Sequence, residues 1–101
     1  MNNRLELHEL LCEILGSRNV YYQPPESIKM KYPAIVYQRA DFNNRHADNG
    51  VYSTLEQYEI TVIDKDPDSE IPRKINALST CRFNRHFTYE NLNHDVFVLY
   101  Y

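Results

Sequence analysis

The hydrophobic pattern runs first at helical spacing and then at strand spacing. Between residues 3 and 16, Leu7, Leu10, Leu11, Ile14 and Leu15 fall on one stripe, with Arg4, Glu6, Glu9 and Glu13 filling the rest, which predicts an amphipathic helix. Asn2 or Asn3 can cap its start, Glu6 stands three residues after Asn3 as in a capping box, and Gly16 is placed to end it. Leu5 lies off the stripe, so it either widens the buried face or is exposed. Val20-Tyr21-Tyr22-Gln23 reads as a short strand, stopped by Pro24-Pro25, which cannot donate to a ladder. Ser27 can cap a single turn through Ile28 and Met30 in what is otherwise a connection to Pro33.

The longest strand pattern is a hairpin from Ala34 to Asp64 with its turn at Asp48-Asn49-Gly50. In the returning arm Tyr58, Ile60 and Val62 point one way and Glu59, Thr61 and Ile63 the other. A three-residue loop sets Val36 against Val62, Gln38 against Ile60 and Ala40 against Tyr58. On the other face it sets Ile35 against Ile63 and Arg39 against Glu59. A two-residue Asn-Gly turn is the alternative, and it places Arg39 opposite Ile60. Arms of about fourteen residues would reach on the order of 45 Å if straight, against a radius of gyration near 13 Å for a compact chain of this size. The base is apolar and the tip, Asn43 to Gly50, is polar, so the tip is expected to project; a bent hairpin folded back on its own domain is the alternative.

After the turn cluster Asp64 to Asp68, Ile71, Ile75 and Leu78 predict a second helix, capped by Ser69 or Asp68, with Pro72 in its first turn and its end near Thr80. The remainder predicts a second hairpin, CRFNRHFTY and HDVFVLYY, joined through Glu90-Asn91-Leu92-Asn93. Cys81, Phe83, Phe87 and Tyr89 are expected on one face, opposite either Val96, Val98 and Tyr100 or Phe97, Leu99 and Tyr101. The last strand is apolar on both faces and is expected to be central or covered on both sides. The order α-β-β-β-α-β-β predicts an α+β fold: a mostly antiparallel sheet with two helices, in a single domain over residues 1–101.

Composition narrows the function. The net charge is −3 with eleven scattered basic residues, which disfavours a dedicated nucleic-acid binder. With two glycines, Gly16 and Gly50, there is no phosphate-cradling loop. No apolar run is long enough to cross a bilayer, and Met-Asn-Asn-Arg leads straight into an amphipathic pattern, so reduced thiols at Cys12 and Cys81 are the expectation. Nine tyrosines suit half-buried sheet faces and protein interfaces alike.

Candidate chemistry is sparse. His8, His46, His86 and His94 lack metal-ligand spacing; His86 and His94 can meet across the last hairpin, but Cys81 is expected on the face opposite His86. Cys12, at the border of the helix's apolar stripe, and Cys81, on an apolar strand, read as structural cysteines. Asp64, Asp66, Asp68 and Glu70 imitate a calcium loop but have Pro67 where such a loop turns on glycine, so helix capping explains them better. Arg82-Phe83-Asn84-Arg85-His86-Phe87 can form a stacking platform for RNA or single-stranded DNA; a sheet core with a polar outer face is the simpler reading. No acid, base and nucleophile assemble, so no enzyme, cofactor or metal site is expected.

The N-terminal helix, KYPAIVYQRADFNNRHADNG, the return strand LEQYEITVID, the helix after it and the final hairpin together resemble the small tail-completion proteins of long-tailed bacteriophages and prophages, of the tail terminator or head-tail joining type. The resemblance spans Leu7 to Tyr101 and rests on element order and short stretches. It implies a structural protein of the virion neck, present in the host cytoplasm during assembly. Its copies, commonly six, would form a ring that stops tail-tube polymerisation and faces the head connector. Its partners would be itself, the tail tube protein and head-tail connector proteins, with no membrane. An arm reaching a neighbour would supply a closing heterologous interface, through Arg39, Asp41, Asn44, Arg45, His46, Asn49, Tyr52, Glu56 and Glu59.

Overall fold

The structure, a computed structural model, describes residues 4–25, 27–40 and 56–101. Helix α1 (Arg4–Leu15) is followed by strands β1 (Val20–Tyr22), β2 (Ala34–Arg39) and β3 (Gln57–Asp64), helix α2 (Ile71–Asn76), and strands β4 (Cys81–Tyr89) and β5 (Leu92–Tyr100). The five strands form one sheet in the order β1-β2-β3-β5-β4, antiparallel except for the β1–β2 pair. This is the α+β arrangement that the sequence predicts.

Both helices lie on one face of the sheet. Leu7, Leu11 and Cys12 of α1 and Ile75 of α2 close over Ile35, Tyr37, Tyr58, Ile60, Val62, Phe97 and Leu99. The helix therefore turns a slightly different stripe inward than its leucine spacing suggests: Leu10, Ile14 and Leu15 flank the core, and Cys12 is buried within it, not at its border. Leu5 takes the exposed option, at 65%. Gly16 ends the helix in the left-handed region at φ 84°, its amide donating to the Cys12 carbonyl.

The base of the predicted long hairpin is present, but its register is shifted by one residue. Ile35 faces Val62, Tyr37 faces Ile60 and Arg39 faces Tyr58, while Val36 faces Thr61 and Gln38 faces Glu59. Burial decides this register, because it brings Ile35 and Tyr37 to the helix-covered face with Tyr58, Ile60 and Val62. The expected register would have put Gln38 there. The turn that was to fix the pairing, and the question of whether the tip projects or folds back, lie outside the described residues.

Parallel β1 runs out at Gln23, whose side chain carries the ladder one step further. Its amide donates to the Tyr37 carbonyl at 2.9 Å and its Oε1 accepts from the Arg39 amide at 3.3 Å. Pro24 then stops the strand. In the connection the amide of Ile28 donates to the Pro25 carbonyl, a turn in place of a capped helical turn.

Helix α2 is shorter than expected and ends at Asn76, after which single turns link Ile75, Leu78 and Cys81. Its N-cap residue is Glu70, which makes no side-chain cap, while the Ser69 hydroxyl accepts from the Ile71 amide. Asp64 and Asp66 each accept from the amide two residues on, at 3.0 and 2.9 Å. The acidic run is turn chemistry.

The C-terminal hairpin departs most from expectation. Its turn is the two residues Glu90 and Asn91, both at positive φ, with Tyr89 paired to Leu92. A register shift between Phe83 and Arg85 splits β4. Cys81 and Phe83, opposite Leu99 and Phe97, stay on the helix-covered face, whereas Phe87 and Tyr89, opposite His94 and Leu92, pass to the other. The same shift puts His86 on the face of Cys81 and separates it from His94. Strand β5 is flanked by β3 and β4 and buries Phe97 and Leu99 on one face and Val96 on the other.

Candidate assembly interface

Of the nine residues proposed for subunit contacts, Arg39, Glu56 and Glu59 are described. Asp41, Asn44, Arg45, His46, Asn49 and Tyr52 lie outside the described residues. At the hairpin base Arg39 pairs with Glu56, not with Glu59: Nη2 lies 3.4 Å from Glu56 Oε1, which also accepts from the Tyr58 hydroxyl at 2.8 Å. Burial and that hydrogen bond push the Tyr58 phenol up to about 12. On the opposite face Glu59 accepts from Gln38 Nε2 at 3.1 Å, because the one-residue register shift sets Gln38, and not Arg39, across from it. The base thus offers charge on both faces. An ion pair as exposed as Arg39–Glu56 contributes about 0–1 kcal/mol to folding and is open to exchange with a partner.

Among the described residues the sheet ends in three-residue β1 on one side and in nine-residue β4 on the other. This nine-residue strand pairs only with β5 among the described residues, and every residue after Cys81 is exposed. Natural proteins shorten or cover such edges, because unpaired amides and carbonyls template further strands. On the face away from the helices Arg82, Arg85, Phe87 and Tyr89 stand opposite Val98, Val96, His94 and Leu92. Phe87 stacks on His94 with ring centroids 4.6 Å apart, and the Arg85 guanidinium lies 5.6 Å from the Phe87 ring centre. On the other face Phe83 meets Phe97 edge-on, and His86 Nδ1 lies 2.8 Å from Asp95. The strand carries Arg82, Arg85 and His86 and no acidic residue.

Helix α1 is pinned to the sheet by a polar cluster absent from the sequence reading. Tyr37 is buried, with its ring against Tyr22, His8 and Tyr58. Its hydroxyl accepts from Arg4 Nη1 at 3.4 Å and shares a hydrogen bond with His8 Nδ1 at 2.8 Å. Arg4 also lies 4.4 Å from the Tyr22 ring centre. The helical i, i+4 spacing of Arg4 and His8 was the available signal, but nothing local marks Tyr37 as their partner.

Burial, then the positive charge of Arg4 and Arg18, holds the His8 imidazole below its ordinary value of 6.5, against the opposing influence of Glu9. A lowered histidine leaves the unfolded chain holding more protons, so this stability is complete above pH 6.5 and is lost as pH falls through the depressed value. Thermal melts from pH 8 to 5 are expected to show that acid-side loss. In His8→Asn this part of the slope should vanish.

Neither cysteine is poised as a nucleophile. Burial raises the Cys12 thiol, and it pushes Cys81 up to about 11. Among the described residues no group of three or more His, Cys, Asp or Glu side chains is placed to hold a metal ion, and no helix is long and apolar enough to cross a membrane. No protein-family model matches the chain, and neither a curated protein nor a solved structure matches it.

Proposed function

We propose that this chain is a structural assembly protein of a phage neck, a ring-forming tail terminator or head-tail joining protein, without enzymatic activity. Its partners in this reading are further copies of itself, the tail tube protein and the head-tail connector, in the virion and in the host cytoplasm during assembly. The observation that carries it is the open β4 edge, nine residues long with Phe83, Phe87 and Tyr89 exposed at 52%, 38% and 64%. A strand of this length with aromatic side chains on both faces suits burial in an assembly. The resemblance in element order supplies the kind of assembly. Light scattering of the chain alone and mixed with tail tube protein tests it: a single closed multiple in either sample supports the ring, and a monomer in both contradicts it.

The hairpin base belongs to the same reading. Arg39→Glu, Arg45→Glu and Glu59→Lys are expected to reduce ring formation while changing folding stability by less than about 1 kcal/mol. Melting curves beside light scattering check this. A second reading, a small RNA or single-stranded DNA binding domain, is favoured by Arg82, Arg85, Phe87 and Tyr89 sharing one open face. It predicts oligonucleotide binding that falls steeply with salt.

A further inference from the structure

We infer that the Arg82-Arg85-Phe87 face of β4 docks on the outer face of α1 of a second copy, so that the copies join head to tail. The inference rests on the ring-forming reading and names its surface. Outward on α1 stand Leu5, Glu6, Glu9 and Glu13, which with half-buried Leu10 line a shallow open groove. Helix α1 packs on β1 and β2, whereas β4 is the far edge of the sheet, so the two surfaces lie at opposite ends of the molecule.

Their charges are opposite and their spacings agree. Along α1, Leu5, Glu9 and Glu13 recur every four residues, about 6 Å apart along the helix axis. Along β4, Phe87, Arg85 and Arg82 stand opposite His94, Val96 and Val98, every second residue of β5, so successive side chains are about 6.7 Å apart. The register shift in β4 is what brings Arg82 and Arg85 into this row. Laid together, Phe87 meets Leu5, Arg85 meets Glu9 and Arg82 meets Glu13. Tyr89 extends the apolar end, where Leu5 is 65% and Tyr89 64% exposed.

Glu9 is now held by Arg18 at 3.1 and 3.2 Å, in a pair whose side chains are 65% and 71% exposed. Such a pair is readily exchanged for another guanidinium. Symmetric pairing of two β4 edges centred on Arg85 would set like charges directly opposite, and the trapping experiment below separates every other symmetric register from the head-to-tail contact. A surface that meets a different surface on the next copy generates rings when the rotation closes.

Disulfide trapping tests the contact. Leu5→Cys chains are mixed with Phe87→Cys chains, oxidised, and the disulfides mapped by peptide mass spectrometry, with circular dichroism confirming that each variant is folded. The mixed disulfide is expected to exceed each same-site disulfide by about tenfold, and to fall as salt rises from 0.05 to 0.5 M. Glu13→Cys with Phe87→Cys, about 12 Å apart in this register, should give no such excess. Glu9→Arg/Glu13→Arg added to the Leu5→Cys chain should abolish the excess, and Arg82→Glu/Arg85→Glu on its partner should restore it. Equal yields, or a preferred symmetric disulfide, would overturn this contact and leave the ring itself to the light-scattering result. Tight, salt-steep binding of a single-stranded oligonucleotide, lost in Arg82→Glu/Arg85→Glu and with no mixed disulfide, would overturn it in favour of nucleic acid.

Discussion

Phe97→Ala is expected to destabilise the chain by about 3–5 kcal/mol, the usual range for removing a fully buried aromatic side chain. Phe97 is 1% exposed on β5, paired to Ile60 on one side and Phe83 on the other, beneath the helices. A domain of this size has about 5–15 kcal/mol of total stability. The melting temperature should therefore fall by roughly 15 °C or more. Phe83→Ala, on the edge strand and 52% exposed, should fall by much less. A calorimetric scan of the two variants checks the contrast. Equal losses would mean that β4 is as well covered as β5, against the open edge on which the proposed interface depends.

Tyr37 carries the second large effect, and two substitutions separate its parts. Tyr37→Ala removes a buried ring that touches Tyr22, Tyr58 and His8, and should cost about 3–5 kcal/mol. Tyr37→Phe keeps the ring and removes the hydroxyl between Arg4 and His8, and about 1–2 kcal/mol is expected. Denaturant titration resolves both. If the phenylalanine variant lost as much as the alanine variant, the polar cluster and not the ring would hold α1 to the sheet.

The elements themselves were legible because their periods are unambiguous. Leu7 and Leu11 are one helical turn apart, and Tyr58, Ile60 and Val62 alternate cleanly, so helix, strand and fold class follow from local pattern. Register is a different kind of information. Ile35, Val36 and Tyr37 are all suited to a core, and what chooses Ile35 and Tyr37 is their coincidence with Ile60 and Val62 across the sheet. In β4 the residues of CRFNRHFTY suggest an unbroken face through Phe83 and Phe87. The shift that separates those two rings leaves no local mark, and Glu90-Asn91 forms a tight turn without the glycine that usually signals one.

The candidate site was only partly legible for the same reason. Sequence pointed to charge at the hairpin, and the structure finds Arg39 and Glu56 paired there. That β4 would be the open edge depends on strand order. Adjacent strands in sequence gave the pairs β2–β3 and β4–β5, but the joining of β3 to β5 is what leaves β4 outermost. The aromatic and arginine row on β4 was visible as composition, and the fold exposes it.

The role proposed for this chain is completion of a phage tail, and electron microscopy of particles from a phage lacking its gene tests that role. Filled heads without tails are expected, together with free tail tubes that are unjoined or of uncontrolled length, and normal particles when the gene is supplied in trans. Complete virions of normal tail length in its absence would contradict it.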